Sequence, residues 1–188
     1  MPVVTGTRYD TAMPFVIAFK DKDAWQLAGV LGQTLAGAVA RLIEHCGGDA
    51  DGLVLAPVPS SRDAVRRRGF DHTATLAGWV ARRLGLRWSP LLCRAMAVDD
   101  QVGQGAGQRH DNQAGTMTAR QRSADWRQGC RGVIVIDDVI TTGATAIEAV
   151  RALRDGGFDV TGVAGVADTP LGRSSRRRLA VDDTNFGR

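Results

Sequence analysis

At 188 residues, with 44% apolar and 23% charged side chains, the chain is long enough for one domain with a sizeable core and too apolar for wholesale disorder. Its formal charge is +4, and Lys20 and Lys22 are the only lysines among 24 basic residues, so arginine supplies nearly all the positive charge. Such a balance permits a phosphate-bearing ligand or nucleic acid and demands neither. Cys46, Cys93 and Cys130 are odd in number, far apart and in no CxxC, which excludes a disulfide framework and a zinc ribbon. They read as reduced, mostly buried small residues of a cytoplasmic protein.

The N-terminal "MPVVTGTRYDTAMPFVIAFKDKD" has no basic segment followed by a long apolar core, so it is not read as a secretory signal. No run approaches the ~18 apolar residues of a membrane helix. The apolar run "FVIAF" at 15–19 predicts a strand. From Trp25 to Ile43, Leu27, Leu31, Leu35, Val39, Leu42 and Ile43 recur at helical spacing and predict an amphipathic helix, ended by Gly47 and Gly48. "LVLA" at 53–56 is a buried strand stopped by "PVPSSR". A helix follows over about 72–84, with Leu76, Trp79, Val80, Ala81 and Leu84 on its apolar side.

Residues 87–96 have room for a strand before a long polar, Gly-rich stretch, "MAVDDQVGQGAGQRHDNQAGT"; loops of that length are commonly functional. "GVIVI" is the third strong strand, Thr145–Leu153 a helix stopped by Gly156 and Gly157, and "VTGVAGVA" at 160–167 another strand. Alternating strands and helices, with continuous Val/Ile runs in the strands, predict an α/β fold: a parallel-sheet core flanked by helices. Residues 1–188 are expected to form one domain, with a core over about 15–167 and a polar, Arg-rich, loosely ordered tail over 168–188.

The chemistry concentrates at "VIVIDDVITTGAT", residues 133–145. In open parallel sheets ligands sit beyond the carboxyl ends of the strands, where this reading places Asp137 and Asp138. The turn that follows enters a helix, so its backbone N–H groups form an anion nest, with Thr141, Thr142 and Thr145 as hydroxyl donors and Gly143 allowing close approach. Two carboxylates beside a phosphate repel it, unless they accept hydrogen bonds from a neutral diol on the same ligand. Ribose 5-phosphate has that layout. The plainer reading is a strand ending in solvent with Asp138 capping a turn.

These thirteen positions resemble the 5-phosphoribosyl-1-pyrophosphate (PRPP) motif of type I phosphoribosyltransferases, and the predicted sheet is of the type I phosphoribosyltransferase-like kind. The resemblance implies that Asp137 and Asp138 bind the ribose diol and face the positive charge that develops on the sugar as pyrophosphate leaves. It implies that Thr141, Thr142, Gly143, Ala144 and Thr145 hold the 5-phosphate. Mg²⁺ would come with PRPP, held mainly by ligand and water oxygens and by no side chain directly. Ser60, Ser61 and Arg62 match the family's pyrophosphate turn; read alone, they are a strand-stopping proline loop with a serine N-cap.

"PVPSSR", "RDAVRRRGFDH" and "DQVGQGAGQRHDNQAGTM" further resemble, in order, stretches of the ComF group, so the likeness runs from about Ala56 to Ala167. Gln101, Gly103, Arg109, Asn112 and Gly115 match in register. Arg109, on the long loop, is a catalytic candidate that would close over pyrophosphate and exclude water; as a plain surface arginine it would do nothing of the kind. Arg66, Arg67 and Arg68 either cover the pyrophosphate or a nucleic acid, or form a solvated face. The chain departs from the group at Asp71 and His72, which stand where it has Asn and Gln, at Gln104 and Gly105 for Leu and Ser, and at Met117 for Phe. An aspartate at 71 is expected to weaken anion binding unless an arginine offsets it. His72 reads as a helix N-terminal polar residue or as a general base. The Cys-rich zinc module that opens many ComF proteins is not matched here.

The resemblance implies a Mg²⁺-dependent phosphoribosyltransferase of nucleotide metabolism that moves ribose 5-phosphate from PRPP to a nitrogenous acceptor. Thr141 replaces the aspartate that some purine salvage enzymes carry there, which removes one argument for a purine. The alternative is a non-catalytic PRPP- or nucleotide-binding accessory protein, with regulation or DNA uptake in competence as its role. Partners implied are a small phosphoribosyl substrate, with room for a homodimer; no motif indicates nucleic acid, and no membrane is called for.

Overall fold

The computed structural model describes residues 1–21, 24–95, 115–122, 126 and 129–169. Five strands form one parallel sheet: β1 (Val3–Arg8), β2 (Leu53–Pro57), β3 (Arg87–Trp88), β6 (Gly132–Ile140) and β7 (Val160–Asp168), in the order β1-β7-β6-β2-β3. A separate antiparallel hairpin pairs β4 (Leu92–Arg94) with β5 (Met117–Ala119). The helices are α1 (Tyr9–Asp21), α2 (Leu27–His45), α3 (Arg62–Arg68), α4 (His72–Leu84) and α5 (Ala144–Asp155).

The α/β architecture read from the sequence is the one observed, and strand periodicity explains how it is filled. Successive side chains point to opposite faces of a sheet. Leu53, Leu55, Ile134 and Ile136 therefore pack with α1, α2 and α4 on one face. Val54, Ala56, Val133 and Val135 pack with α5 and the hairpin on the other. Both faces are covered, hence the unbroken apolar runs. Glu148 of α5 is buried at 3% exposure and accepts the Met117 N–H at 2.9 Å while paired with Arg151. That pairing fastens the hairpin to the helix, and Arg151 holds the Glu148 carboxyl below its ordinary pKa.

The N-terminus corrects the sequence reading. "FVIAF" is not a strand but the second half of α1. Val16 and Phe19, with Ala12, are buried at helical spacing, whereas Phe15 and Ile17 are 45% and 40% exposed. The first strand is instead "VVTGTR", an edge strand that pairs only with β7 and carries half-buried residues. Its Thr and Gly content hid it.

Two smaller expectations also change. The cysteines are free, but Cys46 is exposed at the end of α2, and Cys93 and Cys130 are only half-buried. The helix α2 is, by length and a mean hydropathy of 1.2, apolar enough to cross a membrane. Here its Leu31, Leu35, Val39 and Leu42 are buried against the sheet and α4. Residues 96–114 and 170–188, which hold the long Gly-rich loop with Arg109 and nearly all of the tail, lie outside the described residues.

Candidate functional site

The sheet has one point where successive connections depart in opposite directions. From β2 the chain goes through α3 and α4 to β3 at one edge; from β6 it goes through α5 to β7 on the other side. The β2–β6 ladder stops at Pro57↔Ile136, while β6 runs on beside β7 to Ile140↔Asp168. Loops that part in this way leave a crevice at the carboxyl ends of the strands, the usual ligand position in such sheets. A cavity of about 210 Å³ lies there, lined by Lys20, Ser60, His72, Asp137, Asp138 and Thr145 among others.

Asp137 and Asp138 stand inside β6 rather than at its end. Consecutive strand residues should point to opposite faces, yet both carboxylates line the same cavity. The alternation slips there. Ile134 and Ile136 share a face with Val139, and Val133 and Val135 share the other with Ile140. Both residues are buried, at 8% and 6% exposure. Asp137 accepts the Asp138 N–H at 2.9 Å and Asp138 the Val139 N–H at 2.8 Å, each through Oδ1.

The two differ in charge environment. Asp138 Oδ2 is ion-paired with Lys20 Nζ and lies 3.3 Å from His72 Nε2. Neither partner meets that oxygen in a well-aligned hydrogen bond, so charge holds the pair. Burial pushes the Asp138 carboxyl up, but His72 and Lys20 outweigh it and hold the group below its ordinary range. Burial pushes Asp137 well above that range, and the negative charge of Asp138 adds to the rise.

Beyond Ile140, the loop 141–143 turns into α5. Gly143 is the N-cap with φ of 78°, a left-handed conformation that side chains resist. It brings no capping side chain, and Thr142 Oγ1 takes only the Ala144 N–H, at 3.3 Å. An uncapped first turn presents N–H groups and a partial positive charge to an anion. Thr141 and Thr142 are exposed on the loop, and a small recess beneath is lined by Asp137, Thr141, Gly143 and Thr145. The anion nest and the carboxylates thus share one wall.

The turn after β2 forms the opposite wall. Ser61 is the N-cap of α3, accepting the Ala64 N–H at 3.1 Å, and Arg62 is exposed. Ser60 turns towards α4: its N–H and Oγ both donate to the Asp71 carboxylate, at 3.1 and 3.0 Å. Asp71 also accepts the N–H groups of Thr73 and Ala74 as N-cap of α4. Asp71 is thus also a helix cap and the anchor of Ser60. Asn caps equally well, which accounts for either residue at that position.

His72, the first residue of α4, is 8% exposed. Its Nδ1 is 3.0 Å from Ser60 Oγ and its Nε2 faces Asp138. It is therefore more than a helix-end polar residue: it links the β2 turn to the β6 carboxylates. Of the triple arginine, Arg66 pairs with Asp63, Arg67 is exposed, and Arg68 reaches Asp21 of α1 at 3.3 Å and lies beside His72. Sequence reasoning missed Lys20 and Arg94. Lys20 sits at the end of α1, misread as a strand; Arg94 lines the cavity and donates to the Pro59 carbonyl at 3.1 Å.

No protein-family model matches the chain. In sequence it is 36% identical over 98 residues to the orotate phosphoribosyltransferase of Bacillus caldolyticus, covering 52% of this chain and 36% of that protein. It is 55% identical over 40 residues to the Mycobacterium leprae (strain TN) enzyme of the same name, covering 21% and 22%. The match thus spans 22% and 36% of the length of these curated relatives. Among solved structures it overlays the Aeropyrum pernix orotate phosphoribosyltransferase with a TM-score of 0.44 at 18% identity, over 85% of this chain and 68% of that one. For Leishmania donovani UMP synthase the TM-score is 0.47 at 15% identity, over 85% and 26%. Over about half of its residues, then, the chain is similar in sequence to an orotate phosphoribosyltransferase.

Proposed function

We propose that the chain is a type I phosphoribosyltransferase that binds PRPP at the end of β6 and transfers its ribose 5-phosphate to a nitrogenous acceptor. The observation that carries this reading is the wall formed by residues 137–145: two buried carboxylates next to an uncapped, glycine-led helix N-terminus. An anion and a diol on one ligand fit that pairing. Asp137 and Asp138 take the ribose hydroxyls, and the loop from Thr141 to Thr145 takes the 5-phosphate. We assign the leaving pyrophosphate to the β2 turn: Ser60 lines the crevice with Arg94, and the residues that follow, Ser61 and Arg62, cap and open α3.

In the reaction the acceptor nitrogen's lone pair forms the bond to ribose C1, and the C1–oxygen bond breaks with its electron pair leaving on pyrophosphate. Positive charge on the sugar is greatest in between, and ionised Asp138 is the fixed negative charge facing it. Lys20 neutralises that carboxylate in the free protein, so a ligand that engages Asp138 must displace Lys20; the released ammonium is then a cation beside the polyphosphate.

Magnesium is consistent with this donor set only as part of the substrate. Among the described residues there is no cluster of three His, Cys, Asp or Glu suited to a metal, and Asp138 Oδ2 already faces Lys20 and His72. Bound with PRPP, the ion would offset the charge of the departing pyrophosphate. The ComF assignment rests on the three ordered stretches of sequence, two of which form the β2 turn with α3 and the start of α4.

Calorimetric titration with PRPP, with and without Mg²⁺, tests the reading. Saturable Mg²⁺-dependent binding is expected, weakened by Asp138→Asn by about 1.5–3 kcal/mol, the worth of a charge-assisted hydrogen bond. Thr141→Glu, at an exposed loop position, should abolish binding by placing a negative charge in the nest. Parent-like affinity in both variants would remove the carboxylate wall and the loop from the site.

A further inference from the structure

A recess larger than the crevice above the sheet lies elsewhere in the molecule. A cavity of about 550 Å³ lies at the β3 edge, lined by Arg82, Leu86, Arg87, Trp88, Ser89 and Trp126, with Gly78 and Gly85 of the α4 end. Its volume falls in the range of small-molecule sites. It shares no lining residue with the crevice.

Its chemistry is uniform. Among the described residues, two arginines line it and no acidic side chain does. The Trp88 indole is 41% exposed and lies over Gly78, where even a methyl group would stand 3.5 Å from its Nε1. Trp126 carries the guanidiniums of Arg87 and Arg122 at 5.8 and 5.4 Å from its ring centroid. Arg122 donates to Ser89 Oγ at 2.6 Å, and its Nε is buried without a hydrogen-bond partner among the described residues. Arg87 is fixed by the Gly129 carbonyl. Arg82 is exposed at the cavity wall.

Two arginines beside an exposed indole suit a ligand that has a flat aromatic face and a negative charge. Bases stack on indoles regardless of sequence, and guanidiniums hold phosphate through paired N–H donors. We propose that this cavity is a second ligand site that takes a nucleotide, its base on Trp88 and its phosphate on Arg82 and Arg87. Free nucleotide and a nucleotide within a single strand offer the same chemistry. The site is independent of the reading of the β6 crevice.

Trp88 is itself the reporter. The full chain is titrated with adenosine 5′-monophosphate and, separately, with a twelve-residue oligothymidylate, and tryptophan fluorescence is followed. Saturable quenching by at least one probe is expected. Quenching by the mononucleotide identifies a free-nucleotide site, and quenching by the oligomer alone a single-strand site. Arg82→Glu, at an exposed position, and Trp88→Ala should each weaken binding at least tenfold, with binding by Trp88→Ala measured by calorimetry. Asp138→Asn should bind as the parent does, which separates this cavity from the crevice. Absence of saturable quenching by both probes overturns the proposal, as does parent-like affinity in Arg82→Glu or loss of binding in Asp138→Asn.

Discussion

Asp137 and Asp138 are adjacent in sequence and opposite in electrostatics. In the native state Asp137 is raised well above the 3.8 of a free aspartate, by burial and then by the Asp138 charge. A group raised in this way binds its proton more tightly folded than unfolded. The fold then loses stability as pH climbs from the ordinary carboxylate range through the native pKa. Asp138 is lowered: against burial, His72 and Lys20 keep it ionised, and its contribution is present above the ordinary range and lost only as pH falls below it. Asp137→Asn should therefore gain stability relative to the parent, increasingly so from pH 4 to pH 8. Asp138→Asn should lose stability throughout, by an amount that shrinks as pH rises, because removing its charge also lowers the native pKa of Asp137. Urea midpoints at each pH decide this. A gain for Asp137→Asn that stays flat with pH would mean that this carboxyl is not held protonated.

At the scale of elements, local sequence explains most of what forms. Unbroken runs such as "LVLA" and "GVIVI" give the doubly covered strands, and 3.6-residue spacing gives α2, α4 and α5. The N-terminus misled because five apolar residues have no period of their own. Only the fold reveals that Val16 and Phe19 face inward while Phe15 and Ile17 do not. That error hid Lys20, since the partner of Asp138 lies at the far end of a helix the sequence did not declare. The thirteen-residue stretch was legible because its parts are contiguous; Lys20, Arg94 and the contact of His72 with Asp138 were not, because they arise only through tertiary packing. Asp71 shows an element-scale role. It caps α4 and anchors Ser60. Asp71→Ala should cost about 1–2 kcal/mol, the worth of an N-cap, and Asp71→Asn should recover most of it. Denaturant melts of the two variants test this. Equal losses would mean that the negative charge, not the cap, is what the position requires.

At the scale of the molecule, the crevice depends on how closely α2 lets α4 approach the sheet. The first residue of α4 is His72, whose ring must reach Asp138, so the position of that helix sets the shape of the crevice wall. The two helices meet at Gly32, where an added Cβ would fall 2.6 Å from Trp79 Cδ2 and 2.7 Å from its Cε3. Such contacts are too short to survive, and the rigid body of a half-buried indole yields less easily than the tip of a flexible chain. Five residues on in the same helix, Gly37 has only the end of Arg41 within reach, at 3.6 Å. Helix propensity favours alanine over glycine at both sites by about 1 kcal/mol, so packing alone separates them. Gly37→Ala should stabilise the protein by about 0.5–1 kcal/mol. Gly32→Ala should destabilise it by about 1–2 kcal/mol once the overpacking cost outweighs that gain, and should weaken PRPP binding through the displaced His72. Urea unfolding followed by calorimetry on the same samples reads both effects. Stabilisation by Gly32→Ala with unchanged binding would show that α4 has room to spare and that the crevice does not depend on this contact.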